Sequence, residues 1–297
     1  MHSILDQTII QPSELILTDN NRIYHLDLAP GEIADTIITV GDQDRVDQVS
    51  RHFDVIELKR QHREFKTYTG VLNGKRLTVL STGIGTDNID IVLNELDALV
   101  NIDFSSRRQK SSTTSLNIVR IGTSGALQPD IPVGSFVASE IGLGFDNLLH
   151  FYGHDASMVN SEISEAFVSH TQWNSSNSIP YAVQADTELL SKFQSDKIIA
   201  GITATNVGFY GPQGRVLRLP LEDPALPEKI ASFRFGGKKI TNLEMETSAI
   251  YSMSKMLGHR ALSLNAIIAN RALGTFSAQP KQDIENLIEH TLSVLTS

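Results

Sequence analysis

Asn73-Gly74 stands between two strand-forming runs, Lys66 to Leu72 and Arg76 to Thr82. Between runs of that kind the dipeptide is the strongest short-range signal for a β-hairpin. Before it, Thr36 to Gly41 is an apolar run closed by glycine and reads as a further strand. After it, Ile89, Val92, Leu93, Leu96, Leu99 and Val100 recur at the three-and-four spacing of a helix with one buried face. Later segments repeat the pattern. Asn117 to Gly122, Val133 to Glu140, Ile198 to Thr205 and Ala261 to Ala269 read as strands. Ile250, Met253, Met256 and Leu257 before Gly258, and Ile284, Leu287, Ile288, Leu292 and Leu295, read as helices. Ser105 to Ser115 has no period, is rich in serine and threonine and carries Arg107, Arg108 and Lys110, so it reads as a solvated surface loop.

Strand and helix alternate without an internal repeat or a dividing linker, which predicts one α/β domain over all 297 residues. The 34 acidic residues against 25 basic ones give a formal charge of −9, so no global positive field is available to hold a nucleic acid. A small anion is still compatible, because a few arginines in one pocket act locally. The absence of cysteine removes disulfides, thiolate metal sites and a cysteine nucleophile. Met1 to Thr18 has no apolar run behind a basic segment, and no stretch reaches the roughly 20 apolar residues of a membrane span. A cytoplasmic protein without a membrane partner is expected.

Four strand-to-turn junctions place polar residues beside glycine or at a strand end: Gly41 to Arg45, Thr82 to Gly85, Arg120 to Gly125, and Asn270 with Arg271. Glycine after a strand is often only a tight turn. Arg120 says more, because an arginine ending a buried strand needs an anionic partner. That partner is either a carboxylate or an anion held at the carboxyl ends of the strands, where Thr123 and free backbone amides add hydrogen bonds and Arg45 supplies a second fork. Glu244 and Glu246 flank Met245, and in an extended stretch they share one face; the bland alternative is a pair of acids favoured at a helix start.

The ordered motifs Tyr24-His25-Leu26, Gly41-Asp42 with Arg45, His62-Arg63-Glu64-Phe65, Ser81-Thr82-Gly83-Ile84-Gly85 and Arg120 to Ala126 resemble the nucleoside phosphorylase-I family. Phe209-Tyr210-Gly211-Pro212-Gln213-Gly214-Arg215, Glu244-Met245-Glu246 and Asn270-Arg271 extend the resemblance over nearly the whole chain, within that family toward the uridine phosphorylases. It implies a single-domain, three-layer α/β/α fold with a mixed central sheet, and an N-terminal arm, residues 1–30, contributing to a neighbouring subunit's site. It implies a phosphate site from Gly41, Arg45, Arg120 and Thr123, completed by Arg63 of a neighbour. Ribose falls to Met245 and Glu246, with Glu244 nearby and His25 from the neighbour, and the base to Phe209, Gln213, Arg215, Ile268 and Arg271. Arg120, Glu246 and Arg215 are the residues expected to carry the chemistry.

The implied reaction is phosphorolysis of uridine to uracil and α-ribose 1-phosphate, with inorganic phosphate as co-substrate and no required cofactor. A homodimer is the implied minimal unit and a homohexamer the implied assembly. A structural potassium ion at Glu64, Ile84 and Asn88 also follows from the resemblance, although Asn88 stands where relatives have serine. Two further departures, Gln43 for proline and Gly211-Pro212 for the reversed order, keep the spacing and alter the turns. Competing readings are a hydrolytic nucleosidase, which needs no cluster of Arg45, Arg63 and Arg120, and a purine nucleoside phosphorylase, which expects an aspartate near Asn270. A catalytically silent scaffold is the third. A dinucleotide-binding protein lacks its Gly-x-Gly-x-x-Gly after the first strand.

Overall fold

The computed structural model describes residues 8–297, so residues 1–7 of the expected N-terminal arm lie outside the described residues. In chain order the elements begin with β1 (Thr36–Val40), α1 (Gln43–Ser50), β2 (Val55–His62), β3 (Phe65–Leu72), β4 (Lys75–Ser81) and α2 (Thr86–Asn101). There follow β5 (Ile102–Asp103), β6 (Arg108–Gln109), β7 (Asn117–Ala126), β8 (Phe136–Gly144), α3 (Ser161–Thr171), β9 (Tyr181–Gln184) and α4 (Thr187–Phe193). The chain ends with β10 (Ile198–Thr205), α5 (Leu226–Ser232), β11 (Arg234–Phe235), β12 (Lys238–Glu244), α6 (Thr247–Leu257), β13 (Arg260–Asn270), β14 (Thr275–Phe276) and α7 (Pro280–Thr296).

The predicted hairpin is β3–β4. Asn73 at φ 50° and Gly74 at φ 76° make a turn with both central residues left-handed, which matches the twist of the strands it joins. The helix expected after it is α2, whose Ile89, Val92, Leu93, Leu96 and Leu99 are buried. Gly258 ends α6 in the left-handed region, as the sequence required.

The main sheet runs β11-β12-β10-β8-β13-β7-β1-β4-β3-β2, with β9 on β8 and β14 on β13. It is mixed: β1, β4, β7 and β13 pair in parallel, whereas β13 meets β8 antiparallel. A further antiparallel pairing, Ala126 with Asn242 and Gly125 with Leu243, joins β7 to β12. The strands β12, β10, β8, β13 and β7 therefore close into a ring. Helices cover both faces, as the parallel strands at its centre demand: α2 and α6 pack on each other, α1, α4 and α7 form a second group, and α3 and α5 cover the β9 and β12 side. The largest core cluster includes Ile37, Ile38, Ile118, Val119 and Leu262 from three adjacent strands.

Three expectations are corrected. The strand expected over Asn117 to Gly122 continues to Ala126, paired with β13 along its length, so Arg120 to Gly125 lies inside β7 and not at a strand-to-turn junction. The strand placed at Val133 starts at Phe136 and runs to Gly144, because Gly134 takes φ 83° in a turn whose amide bonds to the Ile267 carbonyl. The loop at Ser105 to Ser115 is in part the hairpin β5–β6, and its cations are not merely solvated. Arg107 donates to the carbonyls of Ile10, Gln11 and Leu15, and Lys110 to that of Val100, tying down the preceding segment.

Candidate active site

Closure of the ring brings the end of β7 beside the end of β12, and the two motifs meet there. Arg120 Nη2 lies 2.5 Å from Glu246 Oε2 and 3.6 Å from Glu244 Oε2, while Nη1 donates to Asn265 Oδ1 on β13 at 3.0 Å. All four side chains are buried. The bland partner for Arg120, a carboxylate, is thus present inside the site. Burial alone would pull Arg120 down, but Glu246 and Glu244 more than offset it and hold the guanidinium above its ordinary range. Burial pushes the Glu244 carboxyl up against the pull of Arg120. Gly122 makes the room: a Cβ there would sit 1.8 Å from Arg120 Nη1.

Glu244 and Glu246 do not share a face of one extended stretch, as the sequence suggested. Glu244 is the last residue of β12 and Glu246 the N-cap of α6, so the chain turns between them. They still converge, because Arg120 draws one oxygen of each. Glu246 Oε1 accepts the Gly85 amide at 2.8 Å, which brings the Thr82 to Gly85 turn to the same place. Met245 between them is half-buried.

Arg45 sits in the first turn of α1. Its amide bonds to the N-cap Asp42, and its guanidinium reaches Asp42 Oδ2 at 3.0 Å and the Ile121 carbonyl at 3.3 Å. Its Nε is buried without a partner. Burial pushes Arg45 down, the nearby Arg120 pushes it further, and Asp42 and Glu246 only partly compensate. Two buried guanidiniums close enough to disturb each other, one with an unanswered N–H, are arranged for an anion. Gly41, directly after β1, and Thr123, inside β7, are both half-buried.

On the far side, the turn around Gly211–Gln213 follows β10. Arg215 lies 3.8 Å over the Phe209 ring, and Nη1 donates to Gln213 Oε1 at 2.6 Å and to the Phe209 carbonyl at 2.7 Å. Gln213 is buried and Phe209 half exposed. Arg271 clasps the turn from beneath by donating to the Gln213 carbonyl, with Nη2 3.4 Å from that of Gly214. Burial pushes both Arg215 and Arg271 down. A cavity of about 500 Å³ opens between this turn, Trp173, Phe145 and Leu243. Ile268 is half-buried on β13, and Asn270 is fully used: its Nδ2 donates to the carbonyls of Gln128 and Ile131, and its Oδ1 accepts the Leu273 amide.

His25 and Arg63 form a third group. His25 Nδ1 is 2.6 Å from Glu95, and the exposed Arg63 stacks over Tyr24 at 5.5 Å. The Arg63 carbonyl accepts from Gln43, at the edge of the Gly41 turn. Glu64 and Asn88 flank Gly83, where a Cβ would lie 3.4 Å from Glu64 Cγ and 2.4 Å from Asn88 Nδ2; Ile84 beside them is exposed. The Glu64 carboxylate and the Asn88 amide oxygen are donors suited to a monovalent cation.

A family model described as the phosphorylase superfamily matches residues 35–296. The chain belongs to the phosphorylase superfamily. It is 25% identical over 290 residues to a uridine phosphorylase of Thermococcus kodakarensis, covering 94% of this chain and 88% of that protein. It is also 25% identical over 281 residues to a DeoD-type purine nucleoside phosphorylase of Bacillus velezensis, covering 91% and 99%. Among solved structures, a Trypanosoma brucei nucleoside phosphorylase described as showing uridine phosphorylase activity superposes with a TM-score of 0.85 at 28% identity, over 95% of this chain and 99% of that one. A Toxoplasma gondii purine nucleoside phosphorylase, at TM-score 0.64 and 18% identity over 92% and 94%, shares the fold. Members of the superfamily on both sides of this comparison are pentosyltransferases.

Within this superfamily frame, three contributors to the site were not singled out from sequence. Asn265 is a polar residue inside the apolar run Ala261 to Ala269, and Thr205 and Asn206, the latter lining the cavity beside Gln213, end the run Ile198 to Ala204. A polar side chain closing or interrupting a buried strand is the signal that marked Arg120, and it was available at all three.

Proposed function

We propose that this enzyme cleaves pyrimidine nucleosides, uridine first, with inorganic phosphate to give the free base and α-pentose 1-phosphate. The observation carrying the base assignment is the Gln213–Arg215–Phe209 unit. Its amide and guanidinium are prearranged on an aromatic wall, and Asn270, occupied by backbone groups, has nothing to offer a purine. The Gln213 amide can satisfy both an acceptor and a donor of uracil, and Arg215 can stabilise the charge it acquires on leaving.

In the reaction a phosphate oxygen attacks C1′ from the face opposite the base, the C1′–N1 bond breaks, and its electron pair leaves with uracil, which takes a proton. Attack opposite the leaving group inverts C1′. The sugar becomes cationic as the bond lengthens. Arg45 and Arg120, with Gly41 and Thr123, hold and orient the phosphate, and Glu246, with Met245 beneath the sugar, holds a ribose hydroxyl. Arg63, exposed beside Tyr24, is free to reach a neighbouring subunit, and donation of His25 and Arg63 to that neighbour is part of the same reading. That makes a homodimer the minimal unit, with a hexamer and a cation between subunits at Glu64, Ile84 and Asn88 as parts of the same reading. Among the described residues no helix is long and apolar enough to cross a membrane, which supports a cytoplasmic location.

Purine phosphorolysis is the second reading, supported by the equal identity to the purine relative and by the cavity behind Gln213. Base release from uridine, 2′-deoxyuridine, thymidine and inosine, with and without phosphate, separates the readings. Phosphate-dependent release from uridine above inosine is expected. Preference for inosine overturns the base assignment, phosphate-independent release indicates a nucleosidase, and silence throughout a scaffold.

A further inference from the structure

A helix start leaves backbone N–H groups without intrahelical partners, and α6 opens with those of Glu246, Thr247 and Ser248. The N-cap residue, Glu246, does not answer them with its own side chain. Glu244 Oε2 accepts from the amides of Glu246 and Thr247, both at 2.9 Å. Thr205 Oγ1, at the end of β10, accepts from the Ser248 amide at 2.9 Å and donates to Glu244 Oε1 at 2.6 Å. Both side chains are buried. Each oxygen of Glu244 is thus engaged inside the protein, and the capping work is done by residues brought in from two strand ends. Glu246 is left free to reach Arg120 and Gly85.

We infer that Thr205 and Glu244 are positioning residues, which fix the backbone of Glu246 so that its carboxylate meets the sugar, and that Glu244 itself makes no ribose contact. The inference rests on the reading in which Glu246 holds a ribose hydroxyl. Removing the Thr205 hydroxyl takes away both the acceptor for Ser248 and the donor that pins Glu244. The freed Glu244 carboxylate can then swing toward Arg120, 3.6 Å away, and compete with Glu246. A misplacement of about 1 Å in a group that must be oriented costs about 100-fold in rate.

The test is a double-mutant cycle on uridine phosphorolysis with Thr205→Val, Thr205→Ser, Glu246→Gln and the Thr205→Val/Glu246→Gln pair. Thr205→Val is expected to lower kcat/KM for uridine by about 10- to 100-fold and to leave KM for phosphate within about threefold. Thr205→Ser, which keeps the hydroxyl, should restore activity to within about threefold of wild type. In the Glu246→Gln background Thr205→Val should cost less than about twofold more, because the residue it positions is already altered. If Thr205→Val does not fold, Glu244→Gln replaces it, with an expected loss of about 3- to 10-fold from weaker neutral hydrogen bonds and the same loss of effect in the cycle. A neutral substitution, or an undiminished loss in the Glu246→Gln background, overturns the inference alone. A wild type that leaves uridine uncleaved overturns the activity reading and this inference together.

Discussion

Arg120 and Glu246 form a buried ion pair, 2.5 Å from guanidinium nitrogen to carboxylate oxygen, at the corner assigned to phosphate and sugar. The site therefore neutralises itself before any substrate arrives. On the proposed assignment, a phosphate taking Arg120 would loosen its hold on Glu246 and free that carboxylate for a ribose hydroxyl, so each substrate would favour the other.

Removing the cation strands two buried carboxylates. Breaking a buried pair from one side costs about 3–5 kcal/mol, so Arg120→Ala should lower the unfolding free energy by an amount in that range, read as a lower urea midpoint at unchanged m, and abolish phosphorolysis at limiting phosphate. An unchanged midpoint, or wild-type kinetics, would contradict the geometry.

Gly122→Ala separates activity from folding. Its new methyl lands on the Arg120 guanidinium while the backbone there is not in the left-handed region. The expected result is a loss of about 100-fold in kcat/KM with a raised KM for phosphate, from misplacement of the fork, measured beside a thermal melt that changes much less.

Arg271→Ala should act on the base and not on phosphate. Without its bonds to the Gln213 and Gly214 carbonyls the recognition turn loosens, and KM for uridine should rise about 10-fold, the worth of a charge-assisted hydrogen bond, with KM for phosphate unmoved. Parallel changes in both constants would argue against a role confined to the turn.

Acid should weaken the docking of α7. Burial alone would raise Glu285 of α7, but hydrogen bonds from Arg51, the C-cap of α1, and the adjoining His52 outweigh it and hold the carboxyl below its ordinary 4.5. A folded value below the unfolded one contributes stability above pH 4.5 that disappears as pH falls through the folded value. Glu285→Gln should therefore flatten the acid limb of a melting-temperature profile and leave its shape at higher pH; an unaltered acid limb would exclude this linkage.

Shared sites can be tested by mixing. Arg63→Ala and Glu246→Gln subunits, each with only residual activity alone, should regain activity well above the sum of the two after exchange, since a mixed dimer contains one site with both residues intact. No recovery despite verified exchange would place Arg63 outside the site.

What the sequence disclosed depended on how local its signals were. The Asn73-Gly74 turn and the buried face of α2 are written in neighbouring residues, and both were found. β2 carries no such signal, because Val55–His62 is largely exposed and mostly charged or polar, with no apolar run to mark it. Arg107 looked solvated because the carbonyls it binds lie more than 90 positions away. Arg120, Glu244, Glu246, Gln213 and Arg215 were legible as motifs, and the structure gathers them around two corners. Their partners were not: Arg120 finds Asn265, and Glu244 finds Thr205, only through strand order, which no local pattern encodes.

The ring of strands also fixes when such a site can exist. Ser124 and Asn242, hydrogen-bonded across its closure, are 118 residues apart, and Arg120 waits on Asn265, 145 residues further along. Contacts this distant form late, because each must first overcome the entropy of closing its loop. During synthesis the guanidinium of Arg120 leaves the ribosome long before any of its partners, so competence for catalysis is acquired as a final step of folding, after the last strand of the ring has been added.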